Sequence, residues 1–241
     1  MVNFVGAGSG AADLITLRGK KLLEEADVII YAGSLVNPEL LGYAKKDCKI
    51  YNSAYMNLDE VIAVIEKTEN EGKKAVRLHT GDPSIYGAIR EQMDRLDNLK
   101  IKYEVCPGVS SFCGAAASLK AEYTLPDVSQ TVIITRMVGR TPVPEKESIE
   151  LLAAHGATMV IFLSTGMLEK LSEALIHGGY SSETPAAIVY KATWKDEKVC
   201  RCTLETIADI VKENNISRTA MIVVSKCLDT EYAKSRLYAP E

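Results

Sequence analysis

Val2-Asn-Phe-Val-Gly-Ala-Gly-Ser-Gly10 opens the chain, and the reading of this passage decides the fold. An apolar run too short for a helix and closed by glycines is the pattern of a buried strand entering a tight turn. Residues 16–26 then read as a helix, and Val28-Ile-Ile-Tyr31 as a second strand. Strand, glycine turn, helix and strand begin an α/β sheet, whose ligands bind beyond the carboxyl ends of its strands.

A dinucleotide is the obvious ligand, and the residues argue against it. The glycines read GxGxG, with Ala11 where the fingerprint has glycine, and the second strand ends Ile30-Tyr31-Ala32-Gly33 without the acidic residue that would hold a ribose. Asp27 precedes that strand, at the wrong end of the sheet. No GxxxxGK[ST] occurs, which excludes a P-loop. A turn that touches no ligand explains the glycines as well, so this loop alone leaves the site open.

Further along, Asn37-Pro38 sets a capping residue before a proline suited to a first helical turn. Asn57 starts a helix with Leu58, Val61, Ile62 and Ile65 on one face, and Glu60 completes a capping box. Residues 74–79 form the next strand, followed by a helix carrying Ile85, Ile89, Met93 and Leu96. In the second half, strands are expected at 131–135, 159–163, 186–190 and 220–225, and helices at 145–154, 166–177 and 203–214. The alternation predicts largely parallel sheets in two α/β domains, 1–122 and 128–241, meeting near Leu125-Pro126-Asp127 after a small-residue-rich helix at 111–119.

Composition narrows the class. A length of 241 residues, 47% hydrophobic and 25% charged, suits one large or two small globular domains. A net charge of −4 argues against nucleic acid as a partner. No signal peptide and no bilayer-length apolar run is visible, so a cytoplasmic protein without a membrane partner is expected. The six cysteines and three histidines lack zinc-site spacing, and Cys200-x-Cys202 reads as extended. Reduced thiols and no metal site are expected.

Two more glycine-bearing loops follow strands: Thr80-Gly-Asp-Pro-Ser-Ile-Tyr-Gly87 and Cys106-Pro-Gly-Val-Ser-Ser111. Taken in order with Val5-Gly-Ala-Gly-Ser-Gly10, Leu14 and Thr16, they resemble the tetrapyrrole (corrin/porphyrin) methylases, and the resemblance runs from about residue 2 to residue 225. Tyr31-Ala-Gly-Ser-Leu-Val-Asn-Pro38, Asn52-Ser-Ala-Tyr-Met56, Thr135-Arg-Met-Val-Gly-Arg-Thr-Pro142 and Tyr190-Lys-Ala-Thr-Trp194 are similar to family members acting on corrin precursors on the route to cobalamin. Ala32 stands where the uroporphyrinogen methylases have an aspartate proposed as a base, so that reaction is not expected.

The resemblance implies two α/β domains with an S-adenosylmethionine site between them, S-adenosylhomocysteine as product, a tetrapyrrole acceptor and a homodimer. It places Gly81, Asp82, Ile85, Ser110, Ser111, Leu163 and Ala192 at the cofactor, with Thr219 and Ala220 near the adenine. It also turns the first glycine loop, with Gly8 and Gly10, towards the tetrapyrrole. From chemistry, Arg136 and Arg140 are candidates for the acceptor's carboxylates, which a guanidinium matches as a fork. Arg18, Lys20 and Lys191 are weaker candidates, and Tyr31, Tyr86 and Tyr190 are candidates to border the macrocycle. No residue is singled out as a catalytic base. A same-fold methyltransferase acting on another acceptor (a different corrin precursor, diphthine or ribosomal RNA), and a non-catalytic S-adenosylmethionine sensor, are the alternatives.

Overall fold

β1 (Val2–Gly6) is buried at every residue, as an apolar strand covered on both faces must be. The computed structural model describes residues 1–229 and 231–234. Within them the chain forms two units, Met1–Gly114 and the part from Ala115 onward.

In the first unit β1 is joined by β2 (Val28–Tyr31), β3 (Lys49–Asn52), β4 (Ala75–His79) and β5 (Tyr103–Cys106). The order is β3-β2-β4-β1-β5 and every pairing is parallel. Side-chain alternation divides the core. Val5, Ile29, Val76 and Leu78 pack on one face with Leu23 of α1 (Leu17–Glu25). Phe4, Val28 and Ile30 pack on the other with Ile62 and Ile65 of α2 (Leu58–Asn70) and Leu96 of α3 (Ile89–Asn98). Each such side chain, fully buried, contributes about 1.5–3 kcal/mol.

The caps act as the residue types suggest. Thr16 Oγ1 accepts from the Gly19 N–H at 3.0 Å. Asn57 Oδ1 accepts from the Glu60 N–H at 2.9 Å while Glu60 Oε2 accepts from the Asn57 N–H at 2.7 Å. The helix expected through Ile85 starts only at Ile89, because Tyr86 (φ 53°) and Ala88 (φ 49°) are left-handed and cannot continue a right-handed turn. Ile85 therefore belongs to the loop.

In the second unit β6 (Val132–Arg136), β7 (Thr158–Phe162), β8 (Pro185–Tyr190), β9 (Lys198–Thr203) and β10 (Ala220–Val224) stand in the order β6-β7-β10-β8-β9. Here the expectation of a largely parallel sheet fails: only β6 and β7 are parallel, and the other three pairings are antiparallel. The link from Tyr190 to Lys198 is too short for a parallel crossover, which leaves an antiparallel hairpin. Met159, Ile161, Ile188 and Ile222 form the core with α6 (Leu168–His177) and α7 (Ile207–Glu213).

The helices of this unit are shorter than their sequence patterns. Ser148 interrupts the first, capping α5 (Ile149–Ala153) through the Leu151 N–H at 3.3 Å. Thr203 ends β9, so α7 begins later than the expected 203. α4 (Ser111–Leu119) carries the chain from one unit into the next, and the division between Gly114 and Ala115 falls within it.

Candidate functional site

β1, β4 and β5 are adjacent and parallel, so the loops at their carboxyl ends open on one edge of the first sheet. Those loops are stitched together by backbone. The Ala7 N–H donates to the His79 carbonyl at 2.7 Å, and Gly8 and Gly81 exchange two hydrogen bonds of 3.0 and 3.3 Å. Gly8 adopts φ 84°, and a Cβ on Gly108 would stand 2.2 Å from the Gly81 carbonyl oxygen. Glycine is thus required at both positions, once for conformation and once for close approach.

Asp82 joins the second and third loops. Its Oδ2 accepts from the Gly108 N–H at 2.9 Å, and its Oδ1 accepts from the Ser84 N–H at 2.8 Å and from the Ser84 hydroxyl. Burial opposes ionisation, but these hydrogen bonds outweigh it and hold the carboxyl below its usual range. Both oxygens are engaged within the protein, so Asp82 shapes the cradle. Gly81 and Ser110 are buried beside it, while Ile85 and Ser111 are half-buried. Ser110 also precedes the first turn of α4, its carbonyl accepting from the Cys113 N–H at 3.0 Å.

Gly8 and Gly10 are both buried, and the Gly10 carbonyl accepts from Asn37 Nδ2 at 3.0 Å. The loop after β2 is thereby tied to the glycine turn. No carboxylate stands at the end of β2. Asp27 lies at the opposite end, bound to Lys45 Nζ at 2.6 Å and to the Lys74 N–H at 2.7 Å. Beneath the loops, His79 is 4% exposed and its Nε2 has no hydrogen-bond partner. Burial first, and then the Arg77 charge, push its pKa down to about 3. Arg77 is buried too, held by Gln92 Oε1 and the Ile30 carbonyl, each at 3.1 Å. Burial lowers its pKa to about 10, which leaves it charged at neutral pH.

In the second unit β6, β7 and β8 run in one direction and β9 and β10 in the other, so three carboxyl ends and two amino ends share an edge. That edge gathers Arg136, Leu163, Ala192, Thr219 and Ala220: Ala220 pairs with Tyr190, and the Lys191 N–H donates to the Thr219 carbonyl at 2.9 Å. The backbone is strained here. Leu163 (φ 54°), Lys191 (48°), Thr193 (68°) and Thr219 (58°) are all left-handed without being glycine. Each costs about 1–3 kcal/mol, and such residues concentrate at functional sites. Leu163 is also 69% exposed, an apolar side chain held outward.

The arginines separate. Arg136 donates to the carbonyls of Met137, Thr141 and Pro142 at 3.1, 3.0 and 2.9 Å, so its guanidinium closes the loop that follows β6. Arg140, on that loop, is exposed and forms no ion pair among the described residues. Lys20 pairs with Glu24, and Lys191 with Asp196. Ser164 was not distinguishable in the sequence: it is fully buried, and its Oγ accepts from the Met137 N–H at 2.9 Å and donates to the Phe162 carbonyl at 2.7 Å. No local signal marks it, because Met137, the partner that ties it to the loop after β6, is far away in sequence.

Thr165, Gly166, Val211, Asn215 and Ser217 line a cavity of about 590 Å³ next to Leu163 and Thr219 along the chain. Among the described residues no three His, Cys, Asp or Glu side chains are placed to hold a metal, and all six cysteines are free. The two edges can bind and orient ligands through backbone groups and exposed apolar surface.

Comparison with known proteins gives a consistent set. The family described as Tetrapyrrole (Corrin/Porphyrin) Methylases matches residues 1–208. The chain is 60% identical over 238 residues to a cobalt-precorrin-4 C(11)-methyltransferase from Methanocaldococcus jannaschii, covering 98% of this chain and 92% of that protein. It is 44% identical to a precorrin-4 C(11)-methyltransferase from a Sinorhizobium species, covering 99% and 95%. The solved structure of a cobalt precorrin-4 methyltransferase, a cobalamin biosynthetic enzyme, superimposes with a TM-score of 0.93 at 45% identity, covering 95% of this chain and 96% of that one.

Proposed function

The chain belongs to the tetrapyrrole methylase family, and from that premise we propose that it methylates C11 of precorrin-4 or cobalt-precorrin-4, giving (cobalt-)precorrin-5 in cobalamin biosynthesis, with S-adenosylmethionine as donor. The observation that carries this reading is the register of the two sheets. Gly81, Asp82 and Ser110 fall together on one edge of the first sheet, and Leu163, Ala192, Thr219 and Ala220 on one edge of the second. Residues far apart in sequence meet where α/β sheets bind ligands.

The residues suit such a donor. Gly81 and Gly108 let the three loops close directly on one another's backbone, and Leu163 offers exposed apolar contact. The missing acidic residue at the end of β2 disfavours a nicotinamide dinucleotide. The donor supplies an electrophilic sulfonium methyl, so this chain has to orient two ligands and keep water away from the reacting carbon. Asp82 holds two loops in a fixed arrangement, which lowers the cost of ordering them on binding. Gly8 and Gly10 shape the floor presented to the tetrapyrrole. Arg140 meets an acceptor carboxylate, and Arg136 sets the loop that carries it.

The cobalt form is the favoured substrate, since the relative with 60% identity is a cobalt-precorrin-4 enzyme. A cytoplasmic homodimer completes the reading; no helix among the described residues is long and apolar enough to cross a membrane. Thermal melting with S-adenosylhomocysteine tests the core of it, with NAD and ATP as controls. Ligand at about a hundred times its dissociation constant stabilises by roughly 2.7 kcal/mol, a rise of roughly 5–10 °C for this chain length. A selective rise, followed by methyl transfer to cobalt-precorrin-4, is expected. No shift with protein free of bound product overturns the reading.

A further inference from the structure

Between β8 and β9, the loop of residues 191–197 holds Ala192 between two left-handed non-glycine residues, Lys191 (φ 48°) and Thr193 (φ 68°). A β-branched threonine is strongly disfavoured in that region, so something must hold it there. Two devices do. Lys191 Nζ pairs with Asp196 and lies over the rings of Tyr190 and Trp194, 5.4 Å from each centroid. Glu197 Oε2 accepts from the Thr193 N–H at 2.5 Å and from Ser118 Oγ at 2.6 Å.

Ser118 stands on α4, the helix that begins at Ser111. One carboxylate oxygen thus fastens the strained loop to a rigid element. We propose that Glu197 is a positioning residue for the cofactor: through the Thr193 N–H it holds the left-handed turn that presents Ala192, and through Ser118 it anchors that turn to α4. The inference rests on the functional reading above, in which Ala192 contacts S-adenosylmethionine. Glu197 itself touches no ligand. Its effect is preorganisation, so its loss is felt in cofactor affinity before chemistry.

Titration calorimetry with S-adenosylhomocysteine tests it on the full chain. Glu197→Ala is expected to weaken binding about tenfold, and Glu197→Gln, which keeps an acceptor oxygen, to recover part of the loss. Thr193→Gly added to Glu197→Ala is expected to restore affinity further, because glycine adopts positive φ without the steric penalty. In turnover, KM for the cofactor rises while KM for the tetrapyrrole stays. Should Glu197→Ala fail to fold, Ser118→Ala removes one of the two hydrogen bonds and is expected to give a smaller rise in Kd.

A fall in melting temperature with Kd unchanged in both variants overturns the proposal, as does a loss of affinity that Thr193→Gly leaves untouched. Wild-type protein that does not bind S-adenosylhomocysteine removes the functional reading and this inference with it. Wild-type binding matched by equal binding in the variants removes the inference alone.

Discussion

His79 ends a central strand beneath the glycine loops, its ring 5.9 Å from that of Phe4 and its Nε2 without a partner. Its folded pKa is about 3 against an ordinary value of 6.5, so it stays neutral in the folded protein while the unfolded chain takes up a proton. The stability this contributes is complete above pH 6.5, and is lost as the pH falls towards 3. The full loss is on the order of 5 kcal/mol. Urea unfolding at pH 7 and pH 4.5 measures it. Wild type should lose about 2–3 kcal/mol more than His79→Gln between the two. Parallel losses in both proteins would mean that His79 does protonate in the fold. At the same scale, His79 shows how a residue type misleads: its position at a ligand-bearing edge suggests acid–base work, and its burial denies it.

At the scale of elements, the loop after β6 is the clearest case of two like residues with different work. Arg136 binds three carbonyls of its own loop, whereas Arg140 extends from that loop unpaired. Arg140→Ala is expected to raise KM for the tetrapyrrole about tenfold and leave S-adenosylhomocysteine affinity unchanged, the loss of one charge-assisted hydrogen-bonded pair. Arg136→Lys is expected to produce a similar loss even though the charge is kept, because an ammonium cannot reach three carbonyls as a planar fork does. Steady-state kinetics with each ligand varied separates the two. Arg136→Lys behaving as wild type would return its role to simple charge.

For the whole molecule, the two units have separate cores and sheets of different kinds, parallel in one and mixed in the other. Each carries its candidate ligand residues on a single edge. The proposed homodimer predicts a light-scattering mass of about twice the 26.3 kDa chain at micromolar concentration; a monomer there would overturn it.

The sequence by itself determined what short-range physics controls. Apolar period placed β1, β2 and α1 nearly to the residue, and capping chemistry placed the start of α2, since Asn57 and Glu60 act within a turn of themselves. The ordered loops around Gly8, Gly81 and Ser110 were sufficient to show the family resemblance. Tertiary structure alone decided which groups meet. The Gly8–Gly81 pairing, the Asp82 bond to Gly108 and the anchoring of Glu197 by Ser118 depend on strand order or on φ above zero. The late start of the helix expected through Ile85 has the same origin, in Tyr86 and Ala88. Local propensity cannot encode these features, because a left-handed non-glycine residue is unfavourable by itself and persists only where the surrounding contacts hold it.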